Sequence, residues 1–86
     1  MYFIYMIIDY LEANGWKVLA NDDLAIFAER ILTGKKSVFI SNRTKISDTE
    51  VMRIWTKKGF HPFVYKIEKG GIIFYDFLFG EFVKSP

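Results

Sequence analysis

The 86 residues, 51% apolar and 19% aromatic, suffice for one small hydrophobic core; they exclude a disordered chain and leave no room for a second core. The absence of cysteine excludes disulfide staples and thiolate zinc sites. A net charge of +2 permits nucleic-acid binding without demanding it.

Taken in chain order, Tyr2 to Asn14 reads as a helix, because Ile4, Ile7, Ile8 and Leu11 recur on one face and Asn14-Gly15 supplies a stop. Trp16 to Ala20 is a short strand, and Asn21-Asp22-Asp23 turns the chain. Leu24 to Ala28 and, after the polar turn Thr33-Gly34-Lys35-Lys36, Ser37 to Ser41 are further strands expected at the sheet centre. Ser47 and Glu50 form an S-x-x-E capping box ahead of Val51, Ile54 and Trp55 at helical spacing, and Gly59 ends that helix. After Pro62, the residues Phe63, Tyr65 and Ile67 alternate with Val64, Lys66 and Glu68 as a strand. Gly70-Gly71 then connects to a last strand, Ile72 to Phe79.

The expected fold is a single α+β domain over residues 1–86, in the order α-β-β-β-α-β-β, with helices packed on a mixed sheet. The mixed pairing is expected because the second helix is a crossover that lets the strands on either side of it lie parallel. The apolar run Met1 to Ile8 falls far short of the ~20 residues needed to cross a bilayer. It also lacks the marks of a signal peptide. The chain therefore reads as soluble and cytoplasmic, with no membrane partner.

Few residues offer chemistry. His61, the one histidine, has no Ser, Cys or Tyr nucleophile beside it in the local sequence and reads as a turn residue at a strand start. Asp22 or Asp23 meets one requirement of a metal nuclease, but the third strand carries no carboxylate to hold Mg²⁺. Asp48 and Glu50 are explained as first-turn helix acids. Neither a metal nor a cofactor is expected. Arg30, Lys35, Lys36, Arg43, Lys45, Arg53, Lys57 and Lys58 fit a phosphate-tracking patch or a solvated rim equally well. The last strand is the least ordinary feature, with Asp76 its one polar residue. A terminal strand is expected at a sheet edge, where so apolar a sequence needs cover. Ile72, Phe74, Tyr75, Phe77 and Phe79 are accordingly expected to form a subunit interface.

Several segments share a pattern with a known family. They are Asp9-Tyr10-Leu11 with Asn14-Gly15-Trp16-Lys17-Val18, then Asp23-Leu24-Ala25-Ile26-Phe27, and then Lys36-Ser37-Val38-Phe39-Ile40. Pro62-Phe63-Val64-Tyr65-Lys66-Ile67, a glycine pair and Ile73-Phe74-Tyr75 follow. From Tyr10 onward this series resembles the C-terminal domain of archaeal tRNA-splicing endonucleases. The resemblance implies metal-independent cleavage of bulge-helix-bulge introns in precursor tRNA by a Tyr, a His and a Lys. Those positions fall on Phe27, which has no hydroxyl, on Lys36, a poor general acid with a free pKa of about 10.4, and near His61. The departure implies a noncatalytic structural subunit rather than an enzyme. Its implied partner is a catalytic endonuclease subunit, in a heterotetramer with two of each chain and with closing strands meeting across a pseudo-twofold. The resemblance also implies an acidic docking loop, for which Glu68 is the candidate, flanked here by Lys66 and Lys69. The N-terminal domain of larger family members has no counterpart in this sequence. The alternatives are a resolvase-like nuclease fold that binds nucleic acid without cutting, and a homodimeric interaction module.

Overall fold

The computed structural model describes residues 2–22, 24–43 and 45–80, with side chains from Tyr5 onward. Asp23 and the side chain of Ile4, both used in the sequence reading, lie outside the described residues. The elements are α1 (Tyr2–Ala13), β1 (Trp16–Asn21), β2 (Ala25–Arg30), β3 (Lys36–Ser41), α2 (Asp48–Lys57), β4 (Phe60–Lys69) and β5 (Ile72–Phe79). This is the expected α+β order.

In α1, Ile7 and Leu11, four residues apart, turn one face into the core while Asp9 and Glu12 face water. Ser47 caps α2 by accepting the Glu50 N–H at 3.1 Å. Only that half of the capping box is formed, because the Glu50 carboxylate pairs with Arg53 instead of returning to Ser47. Gly59, at φ +93°, lets the chain leave α2 in a conformation that side chains resist.

The five strands form one sheet in the order β1-β2-β3-β5-β4, and every neighbouring pair is antiparallel. The expectation of a mixed sheet is corrected by this pairing. The crossover through α2 does set β3 and β4 running the same way, but it leaves a gap of one strand between them. Gly70 and Gly71, at φ +59° and +79°, form a hairpin turn that matches the twist of its strands and returns β5 into that gap. The last strand is thus interior, and β4 is the edge. Phe74, Tyr75, Asp76, Phe77 and Leu78 are all buried within the chain.

The ten residues of β4 pair with the eight of β5. The two extra residues are taken up by bulges between Pro62 and Val64 and between Val64 and Ile67. They break the simple alternation expected from the sequence. Phe63 and Val64 both lie toward the α1 side of the sheet, whereas Tyr65 and Lys66 both turn to the α2 side, against Tyr75 and Asp48.

Each face carries its own core. On the α1 face, Ile7 and Leu11 pack on Trp16, Ile26, Ala28, Phe39 and Phe74. On the α2 face, Val51 packs with Val38, Ile40, Tyr75 and Phe77. A helix of ten residues is about 15 Å long, and five strands span about 20 Å, so two short helices leave the sheet margins open. Among the described residues no helix is long and apolar enough to cross a membrane.

Candidate functional site

The residues singled out by the sequence are scattered. Phe27 is half-buried on β2 opposite Val38, and Lys36 is exposed at the start of β3 opposite Glu29, both on the α2 face. His61 on β4 pairs with Leu78 and lies on the α1 face. The sheet therefore stands between His61 and the other two, and no three-residue constellation is assembled. Asp22 accepts the N–H groups of Leu24 and Ala25, each at 2.8 Å, as a turn residue. Glu68 is exposed near the end of β4, opposite Ile73.

Of the five residues expected at an interface, Phe74, Tyr75 and Phe77 are core, and Ile72 packs at the margin of the α1-face core. Phe79 alone is exposed. The terminal strand is covered on both faces by its own chain, which removes the reason for expecting it to meet a partner. The uncovered apolar strand is its neighbour. On β4, Phe63, Val64 and Tyr65 are 57%, 50% and 47% exposed in succession. Pro62 has no N–H to offer a further strand, and the two bulges disturb the ladder, so this edge is suited to contact through side chains.

Two polar arrangements tie β4 and β5 to the rest of the fold. On the α2 face, Asn42 Nδ2 donates to Tyr75 Oη at 3.2 Å, and Tyr75 Oη donates to Asp48 Oδ1 at 2.6 Å. Lys66 Nζ closes the chain on Asp48 Oδ2 at 3.0 Å. Burial and the Asp48 carboxylate push the Tyr75 hydroxyl up to about 12, so it stays a neutral donor. The hydrogen bond from Tyr75, with that of Lys66, holds Asp48 below its ordinary range. This network clips the N-terminus of α2 to the sheet.

On the α1 face, a cleft of about 190 Å³ runs between α1 and β4. Tyr10, Leu11 and Asn14 form one wall, Phe63, Val64 and Ile67 the other, with Trp16 and Arg30 beyond and Phe39 and Asp76 in the floor. A second, apolar trough of about 280 Å³ shares Trp16, Arg30 and Phe63 in its lining and reaches Leu32, Lys35 and Leu78. Asp76 is only 4% exposed. Ser37 Oγ donates to Asp76 Oδ1 and also lies 2.7 Å from Phe77 O. A hydroxyl has one proton, so it serves one of those acceptors at a time. A protonated Asp76 resolves the conflict by donating to Ser37 while Ser37 donates to Phe77 O. Burial pushes Asp76 up to about 6, against the opposing pull of Ser37 and Arg30. Arg30, which lines the same cleft, is held by a bond from Nη1 to Asn14 O at 3.1 Å and by stacking 4.4 Å from the Trp16 ring centroid. Sequence reasoning noted Asp76 only as the polar exception in its strand. The available signal was that a lone carboxylate in a buried strand must find a partner, but Ser37 is 39 residues away along the chain.

Comparison with protein-family profiles, with curated proteins and with solved structures finds no match.

Proposed function

We propose that this chain is a noncatalytic subunit that works by assembling with another chain along β4. In the specific form suggested by the sequence resemblance, the partner is the catalytic subunit of a cytoplasmic tRNA-splicing endonuclease of the archaeal type, two of each chain, acting on precursor tRNA. The observation that carries the reading is apolar exposure on both sides of an edge strand, Phe63 and Val64 toward the α1 side and Tyr65, with Phe79 of β5, toward the α2 side. Each is already about half-buried, so covering the remainder contributes roughly half of the 1.5–3 kcal/mol of full burial, and the four together favour association. The separation of Phe27 and Lys36 from His61 by the sheet supports a noncatalytic role for the chain itself. The proposed pairing surface differs from the one first implied by the resemblance, since the closing strand is interior and its hairpin neighbour β4 is the apolar strand left uncovered.

The test is purification of the tagged chain from its native cells, beside a Phe63→Lys variant. The expected result is co-purification with a nuclease chain carrying an intact Tyr/His/Lys set, lost in the variant. Recovery of the chain alone, or with a partner retained equally by Phe63→Lys, contradicts the proposal.

A further inference from the structure

The geometry points to contact between copies of this chain: we infer that it associates with itself head to tail, the Ile31–Leu32 tip of one copy seating in an α2-face cavity beside Asp22 of the next. Neither surface lies on the β4 edge, so this contact is independent of the association proposed above.

The tip is the turn between β2 and β3. One exposed aliphatic residue is ordinary on a small domain, but here two are adjacent, Ile31 at 63% and Leu32 at 92% exposure. Backbone bonds hold them in place. The Arg30 N–H donates to Lys35 O and the Gly34 N–H to Arg30 O, both at 2.8 Å, and the Ile31 N–H donates to Gly15 O at 3.0 Å. Gly34, at φ +74°, supplies the left-handed residue that the turn needs. Lys35 is exposed beside the pair. The tip is thus a preorganised apolar knob flanked by a cation, and docking costs it little conformational freedom.

The cavity, of about 400 Å³, lies between α2 and the sheet. Val51, Ile54 and Trp55 of α2 line one side, and Leu24, Ala25 and Ile40 the other. Its lining carries one charged residue, Asp22, which is exposed and whose Oδ1 is held by the N–H groups of Leu24 and Ala25. Arg43 and Lys45 follow in the chain but do not line it.

No copy can fill its own cavity. The six residues of β2, about 20 Å of strand, separate the tip from Asp22 and Leu24. The two also open on opposite faces, since Leu32 borders the α1-face trough. A second copy brings the matching occupant, two aliphatic side chains for the apolar walls and Lys35 for Asp22. Such a contact is heterologous: each pair keeps an unused tip and an unused cavity, so association continues past two chains. A single knob buries far less than the ~1,200 Å² of a stable interface, so the contact is weak and shows only at high concentration.

The experiment is analytical ultracentrifugation of the full chain from about 10 μM to about 1 mM, the range in which so small a contact registers. It is run in wild type and in Phe63→Lys, which disables the β4 edge. The expected result in both is a weight-average mass that rises with concentration past two chains. Leu32→Asp at the exposed tip and Leu24→Lys at the exposed mouth of the cavity, each added to Phe63→Lys, are expected to weaken association at least tenfold. Mixed one to one, those two variants share one intact tip and one intact cavity, and are expected to form a heterodimer that grows no further. Circular dichroism checks that each is folded; should Leu24→Lys not fold, Ala25→Phe fills the cavity in its stead. A monomer throughout overturns the contact. So does association that is lost in Phe63→Lys, association that survives either the tip or the cavity variant, or a mixture of the two that stays monomeric.

Discussion

Asp76 holds its proton in the folded chain up to about pH 6, whereas an unfolded chain releases it near the ordinary 3.8. The stability this group contributes is therefore full below 3.8 and is lost as pH rises through about 6. The difference amounts to about 3 kcal/mol between the two limits. Asp48 and Glu50, both held below their ordinary range, act in the opposite sense, so the contribution is read as a difference between proteins. Urea unfolding of the wild type and Asp76→Asn across pH 4 to 7 is expected to show the variant gaining relative stability as pH rises. Parallel curves would contradict the assignment. Tyr75 gives a second test at this scale. Tyr75→Phe keeps the ring in the core but leaves Asn42 without an acceptor and removes a donor from Asp48. The expected cost is about 1–3 kcal/mol, measured by the same unfolding, with the far-UV circular dichroism of the folded state unchanged.

At the scale of elements, β4 and β5 have exchanged the roles that their sequences suggest. Phe77→Lys places a charge in a fully buried position and is expected to unfold the domain outright, whereas Phe63→Lys on the exposed edge is expected to change the melting temperature little. Thermal melts by circular dichroism separate the two, and equal destabilisation would contradict the placement of the edge. Ser47→Ala removes the one formed half of the capping box and is expected to cost about 1 kcal/mol. The elements themselves were legible because their signals are local: Ile7 and Leu11 at helical spacing, Ser47 before Val51, and a glycine pair between two apolar runs. Strand order was not, because nothing local to Ile72–Phe79 states that it enters between β3 and β4. The bulges were also hidden. Phe63 to Glu68 alternates well on paper, and only pairing ten residues against eight forces two of them out of register. The cleft followed the same rule, since Ser37, Arg30 and Asp76 are joined by the sheet and not by the chain.

At the scale of the whole molecule, two short helices on a five-stranded sheet produce a body measuring 38 × 32 × 17 Å, thin enough that one edge strand stays apolar and open. We propose that the chain works at this edge, as a noncatalytic subunit. The most direct measurement is cleavage of a bulge-helix-bulge RNA by the chain alone, by the catalytic partner alone, and by the two mixed, with wild-type chain and with Phe63→Lys. Activity in the wild-type mixture alone, absent from either chain by itself and from the Phe63→Lys mixture, is the predicted result. Cleavage by the isolated chain, or a mixture whose activity is indifferent to Phe63→Lys, would contradict that role.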